Sequence, residues 1–182
     1  IMERVQRVIG KIEPHDSIER YSKLGVDCIT GTAKIKSPWE VEVNGKILTT
    51  KNIVIATGAR PFIPSIPGLE KIKYYTSDNI WELRDMPKQM IVLGGGAIGS
   101  ELAQSFARIG SHVTQVEKGP RIMGREDIDV SELIMEQFKH EGIDLLINTE
   151  VKEIIVEDGK KHLVCSTPLG TQRIEFDTLL LA

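Results

Sequence analysis

The chain has 182 residues, 41% of them hydrophobic and 27% charged, with a formal net charge of −3. That is the composition of a soluble globular protein with one large domain or two small ones. The weak negative charge argues against nucleic-acid or anionic-membrane partners, and no apolar run approaches the roughly 18 residues of a membrane-spanning helix. No signal peptide opens the chain, and its first residue is Ile1 rather than Met, so it reads as a cut piece of something longer.

Residues 2 to 12 place Val5, Val8, Ile9 and Ile12 at helical spacing, and Pro14 ends that helix. Asp16 and Glu19 are spaced as a capping box for a short helix that stops at Gly25. Val26 to Ile29 and the run from Ala33 read as strand. Trp39, Val41 and Val43 alternate with charged residues, Asn44-Gly45 is a strong hairpin signal, and Lys46 to Thr50 returns. Asn52 to Ala56 is a fully apolar strand suited to a parallel sheet, and it ends in Ala56-Thr57-Gly58. From Ala59 the prolines at 61, 64 and 67 mark a loop and a domain boundary. Ser77 then caps a short helix that Pro87 terminates.

The stretch from Lys88 to Lys118 carries the chemistry. A buried strand leads into Gly94-Gly95-Gly96-Ala97-Ile98-Gly99, then a helix, then a second strand ending at Glu117. Gly94, Gly96 and Gly99 match G-x-G-x-x-G in the context that gives the motif meaning. Gly94 allows the sharp turn, Gly96 lets a pyrophosphate approach the backbone, and Gly99 lets the helix lie close to the strand. The N–H groups opening that helix face the phosphates. Ile98, Leu102 and Phe106, with Ala103 and Ala107, form an apolar face, and Gly110 caps the end. Glu117 lies where a carboxylate accepts hydrogen bonds from an adenosine ribose and repels a 2′-phosphate, so NAD is expected over NADP. Lys118 beside it supplies a partly compensating cation.

A basic loop, Lys118 to Arg125, follows and reads as solvated. Asp129 with Glu132 caps the next helix, whose apolar face is Val130, Ile134 and Phe138, with Leu133 adjacent. Ile143 to Ile147 is a third strand. Residues 151 to 157, 161 to 167 and 172 to 176 form an antiparallel meander, and Thr178 to Ala182 is one more buried strand. Cys28 and Cys165 are far apart in strand-like runs, the pattern of buried thiols in a cytoplasmic protein rather than of a redox pair. His15, His112, His140 and His162 are scattered, so no metal site is expected.

Four stretches together resemble the pyridine nucleotide–disulfide oxidoreductases, and within them the mercuric reductase and dihydrolipoamide dehydrogenase branch. They are Gly31-Thr-Ala33, the run from Ile53 to Pro61, Gly94 to Glu101, and Asp177 to Ala182. The resemblance covers nearly the whole chain and implies the central portion of a longer, FAD-dependent enzyme that passes hydride from nicotinamide to flavin and then to a disulfide. It implies a partial FAD-binding domain at 1–58 and an NAD(P)-binding domain at 59–182. The fold expected is α/β: a Rossmann-like parallel sheet with flanking helices and a three-stranded antiparallel meander.

Residue by residue, Gly94, Gly96 and Gly99 would hold the NAD pyrophosphate and Glu117 the ribose, with Gly95, Ala97, Ile98 and Lys118 also in the NAD site. Glu101 would reach the nicotinamide. Val151 matches a position against the adenine and is equally suited to plain core. Ala33, Ala56, Thr57 and Gly58 would lie along FAD. The redox cysteine pair, the catalytic His and the dimerisation domain of the family have no counterpart in these residues, so no catalytic residue is assigned. The piece alone is expected to bind dinucleotide without turnover, while the parent is expected to be a homodimer. Its electron acceptor is left open. A flavoprotein reductase without a redox dithiol, or a stand-alone nucleotide-binding module, are the alternatives. A Cys pair upstream, or a reading frame that continues past Ala182, separates them.

Overall fold

A computed structural model describes all 182 residues. It comprises two compact units, Ile1–Ala59 and Arg60–Ala182.

The first unit opens with α1 (Met2–Ile12), a single 3-10 turn (Glu13–Asp16) and α2 (Ile18–Lys23). Ser17 rather than Asp16 caps α2, its Oγ accepting from the Arg20 N–H at 3.2 Å, because Asp16 is drawn into the turn that Pro14 begins. Strands β1 (Ala33–Ser37), β2 (Glu40–Val43) and β3 (Lys46–Thr49) form an antiparallel sheet in that order. Asn44 and Gly45 both take positive φ, 53° and 76°, the geometry of a type I′ hairpin turn.

Two expected strands are not formed. Residues 26–29 and 52–56 run without any ladder. An apolar β-prone run becomes a strand only where a neighbour takes up its N–H and C=O groups, and neither run has one in this chain. Val54 is accordingly 88% exposed, and Cys28, expected to be buried, is exposed.

The second unit is built on a parallel sheet with β4 (Gln89–Leu93), β5 (His112–Val116), β6 (Asp144–Leu146) and β10 (Thr178–Leu181) in the order β10-β4-β5-β6. Met90, Ile91 and Val92, and Leu179 to Leu181, are buried on both faces of their strands, which explains their unbroken apolar runs. Helix α3 (Ala97–Arg108) packs on β4 and β5, and α4 (Ile128–His140) on β6. The meander is β7 (Glu150–Glu157), β8 (Lys160–Thr167) and β9 (Gly170–Phe176), with Asp158 and Gly159 repeating the positive-φ pair of the first hairpin. Leu69, Ile91, Val116, Ile154, Leu163, Phe176, Leu179 and Leu181 form one core joining sheet and meander. This is the expected α/β architecture.

Local details differ from the sequence pattern. The turn before Pro87 is a 3-10 turn at Ile80–Glu82, and Thr76 rather than Ser77 organises it. Its Oγ1 accepts from the Asp78 N–H, while Asn79 Oδ1 accepts from the Thr76 N–H at 2.7 Å. Asp127, not Asp129, is the cap residue of α4. On α4, Ser131 and Phe138 are buried whereas Val130 and Leu133 are exposed, because the buried stripe starts one residue later than the apolar residues suggest. Ile98 is the third exception: it is 51% exposed rather than core. No helix is long and apolar enough to cross a membrane.

Candidate dinucleotide site

The C-terminal ends of β4 and β5 meet the N-terminus of α3 at the glycine turn. In open α/β sheets, ligand sites form at such strand ends. Gly94 has φ 120°, and its N–H donates to the Val116 carbonyl at 2.9 Å, so the chain leaves β4 still bonded to β5. A Cβ on Gly99 would lie 2.4 Å from the Gly94 carbonyl oxygen, so that position admits only glycine if helix and turn are to stay this close. Gly96 is the N-cap of α3 and supplies no side-chain bond to it. A Cβ built there would meet nothing within 4 Å. The first turn of α3 therefore presents uncapped N–H groups and its positive dipole end beside open space, which suits an anion.

Two clefts flank this turn. One, of about 460 Å³, has Leu93, Ile98, Val151 and Leu181 as apolar wall, with Pro61 and Phe62 completing it. Gly94, Glu117 and Lys118 also line it. The second, of about 700 Å³, is lined by Gly95, Gly96 and Ala97 on one side and by the loop from Gly119 to Glu126 on the other. Glu117 lines both. The exposure of Ile98 is thereby explained, since it faces the first cleft rather than the sheet.

The Glu117 carboxylate is fixed by two backbone donors. Gly95 N–H donates to Oε2 at 2.7 Å and Gly119 N–H donates to Oε1 at 2.5 Å. A carboxylate has about four acceptor positions, so each oxygen retains one for a further donor. Lys118 is turned to Glu150 at 3.1 Å. Lys152 first and Lys118 second hold the Glu150 carboxyl below its usual range. Arg121 donates to the Gly124 and Glu126 carbonyls at 3.0 and 2.9 Å, so this loop uses its own arginine as a brace.

Gly94 to Gly99, Glu117, Lys118 and Val151 are thus brought together around one strand edge. Glu101 is exposed just past the first turn of α3 and lines neither cleft. Ala33, Ala56, Thr57 and Gly58 belong to the first unit and are all exposed. No group of three or more His, Cys, Asp or Glu is placed to hold a metal ion.

Two residues at the turn were not singled out by the sequence pattern. The Met123 N–H donates to the Gly95 carbonyl at 2.6 Å, from a backbone at φ 52°. Gln115, on β5, donates from Nε2 to the Gly94 carbonyl at 2.9 Å. Met123 sits in an irregular loop and leaves no signal. Gln115 does leave one, being a long polar side chain in a strand whose last four residues are all buried.

The sequence pattern of the family described as pyridine nucleotide-disulphide oxidoreductase matches residues 3–182. A mercuric reductase of Lysinibacillus sphaericus is 34% identical over 177 residues, covering 97% of this chain and 32% of its own length. A dihydrolipoyl dehydrogenase of Acholeplasma laidlawii is 40% identical over 136 residues, covering 72% of this chain and 40% of its own. Among solved structures, the HOCl-induced flavoprotein disulfide reductase RclA from Escherichia coli superposes with a TM-score of 0.78 at 27% identity, covering all of this chain and 41% of that one. The chain thus spans about a third to two fifths of the length of these relatives. With a match running almost from end to end, and the glycine turn set at the edge of a parallel sheet, the chain belongs to the pyridine nucleotide-disulphide oxidoreductase family.

Proposed function

We propose that residues 59–182 are the NAD(P)-binding domain of an FAD-dependent enzyme, and that residues 1–58 contribute to its FAD-binding domain. The observation that carries the nucleotide reading is the uncapped first turn of α3 beside open space, with a carboxylate set in place at the end of β5. The backbone from Gly94 to Gly99 would take the pyrophosphate, and the remaining acceptor positions of Glu117 would take two ribose hydroxyls. Ile98, Val151 and Leu181 offer apolar surface to a planar ring in the first cleft. Glu101 is assigned to the nicotinamide on family resemblance. Ala33, Ala56, Thr57 and Gly58 are assigned to FAD on the same ground.

Glu117 makes NAD(H) the preferred cofactor, because a 2′-phosphate would meet a negative charge that two amides hold in place. Lys118, engaged with Glu150, does not offset it. When bound, nicotinamide and flavin would supply hydride transfer towards a disulfide, while the residues here bind and orient. Catalysis and homodimer formation are assigned to the whole enzyme. The electron acceptor follows from residues beyond this chain, with mercuric ion or a lipoyl-type disulfide suggested by the relatives' names. The 182 residues alone should bind nucleotide without turnover, and a cytoplasmic location is proposed from the unpaired cysteines.

Calorimetric titration of the chain with NADH and NADPH tests this reading. NADH should bind more tightly, and Glu117→Ala should weaken it by about 10- to 100-fold, the worth of charge-assisted hydrogen bonds of roughly 1.5–3 kcal/mol. Equal or tighter binding of NADPH would reverse the cofactor preference. Diaphorase activity in a flavin-coloured preparation would overturn the assignment of catalysis to the whole enzyme.

A further inference from the structure

Gln115 is the residue at the glycine turn whose presence the fold does not require. It lies on β5, is 0% exposed, and stands in register with Val92 at the centre of a parallel sheet. An apolar residue would fill that place without polar obligations. Instead its Nε2 donates to the Gly94 carbonyl at 2.9 Å and to Ser100 Oγ at 3.3 Å. Gly94 is the pivot of the turn, and Ser100 is in the opening turn of α3, so one amide group ties both sides of the glycine motif to the strand behind it.

The arrangement has a cost that argues for a purpose. Gln115 Oε1 is buried and has no hydrogen-bond partner. An orphaned buried acceptor destabilises a fold. Rotating the amide would not cure this, since it would set Oε1 against the Gly94 carbonyl oxygen and break the bond made there. Three tethers then act on successive atoms of the turn: Gln115 on the Gly94 carbonyl, Glu117 on the Gly95 N–H, and Met123 on the Gly95 carbonyl. Only the first originates inside the sheet, from a side chain with no solvent exposure.

We propose that Gln115 is a positioning residue, which holds the Gly94 carbonyl back into the sheet so that the following N–H groups stay directed at the cleft before ligand arrives. This rests on the dinucleotide reading above. Without the tether the turn samples other conformations, and binding must first select the competent one.

Gln115→Met tests it, because the side chain keeps its length but loses both donors and the orphaned oxygen. Its thermal midpoint should equal or exceed that of the parent chain. Its Kd for NADH should nevertheless rise about three- to tenfold, the loss of one hydrogen bond's worth of preorganisation. In the ligand-free chain, hydrogen exchange at the Gly95 and Gly96 amides should quicken while β4 and β10 are unchanged. Gln115→Leu provides the same comparison if the Met variant does not fold. Unchanged affinity together with unchanged exchange would overturn the proposal. So would a lowered midpoint that accounts for the whole loss of binding, since that is a purely structural role. If the parent chain binds no NADH, the dinucleotide reading fails, and unaltered amide exchange in the variant would overturn the tether separately.

Discussion

The two units of this chain contain equally clear sequence patterns and very different interiors. In residues 60–182 the apolar runs of β4, β5 and β10 are buried on both faces and meet a meander that closes a common core. In residues 1–59 the only buried side chain is Val43. Helix α1 has a well-separated apolar stripe and buries none of it, and the strand-like run at 52–56 pairs with nothing. Amphipathic patterning therefore states what a segment would bury, and burial follows only where a complementary surface is present. The hairpin of the first unit survives because its determinants are local: two residues that accept positive φ and a short ladder.

Matched substitutions would sharpen this contrast. Leu179→Ala, at a fully buried site, should cost about 2–5 kcal/mol in urea denaturation, whereas Ile55→Ala, at a site 69% exposed, should change stability by less than about 0.5 kcal/mol. Equal costs would mean that residues 52–56 are packed after all. A smaller effect follows at the two I′ turns. Gly159→Ala, at φ 76°, should cost about 1–2 kcal/mol, and it should be read in the cooperative unfolding of the second unit. Gly45→Ala carries the same strain but should fray only its own hairpin, visible in amide exchange at 40–49 and not in the global midpoint.

The third comparison concerns acid. Arg108 hydrogen-bonds Glu141 through Nε and Nη2 at 2.9 and 2.6 Å, joining α3 to the end of α4. With Gln137 assisting, Arg108 holds the Glu141 carboxyl down at about 2, from an ordinary value of 4.5. A depressed carboxyl stabilises the fold above its unfolded pKa and ceases to do so as pH falls through its folded one. Glu141→Gln should therefore flatten the acid side of the stability profile between pH 4.5 and about 2, measured by denaturation at successive pH values. The smallest effect is expected for Glu19→Ala on α2, which removes an exposed pair with Lys23 and should stay within about 0.5 kcal/mol.

Much of this was legible in the residues. The glycine spacing, the strand before it and the acid 23 positions beyond Gly94 needed only local sterics and chain direction, and the sheet places them at one edge. The hairpin at Asn44-Gly45 and the meander were readable for the same reason. What was not legible depended on partners distant in sequence. The ladders missing at 26–29 and 52–56 depend on whether another strand is present. The cap residues Ser17 and Asp127 displaced Asp16 and Asp129 because a preceding turn fixed where each helix could begin. Ile98 obeys helical periodicity, yet the helix end projects past the sheet, so the same spacing that buries Leu102 leaves it at a cleft. Gln115 and Met123 act through the backbone of the turn, and no spacing rule announces a contact of that kind.

On the dinucleotide reading proposed above, the fixation of Glu117 sets a rule for re-engineering the cofactor corner. Swinging its carboxylate aside to admit a phosphate would leave the amides of Gly95 and Gly119 without acceptors. A mere cation added nearby would have to act against a negative charge that cannot retreat. The economical exchange is therefore a replacement rather than a rearrangement. A short neutral acceptor such as serine or asparagine at 117 would keep one amide satisfied and remove the charge, and only then would new basic residues on the neighbouring loop have an unopposed field in which to work.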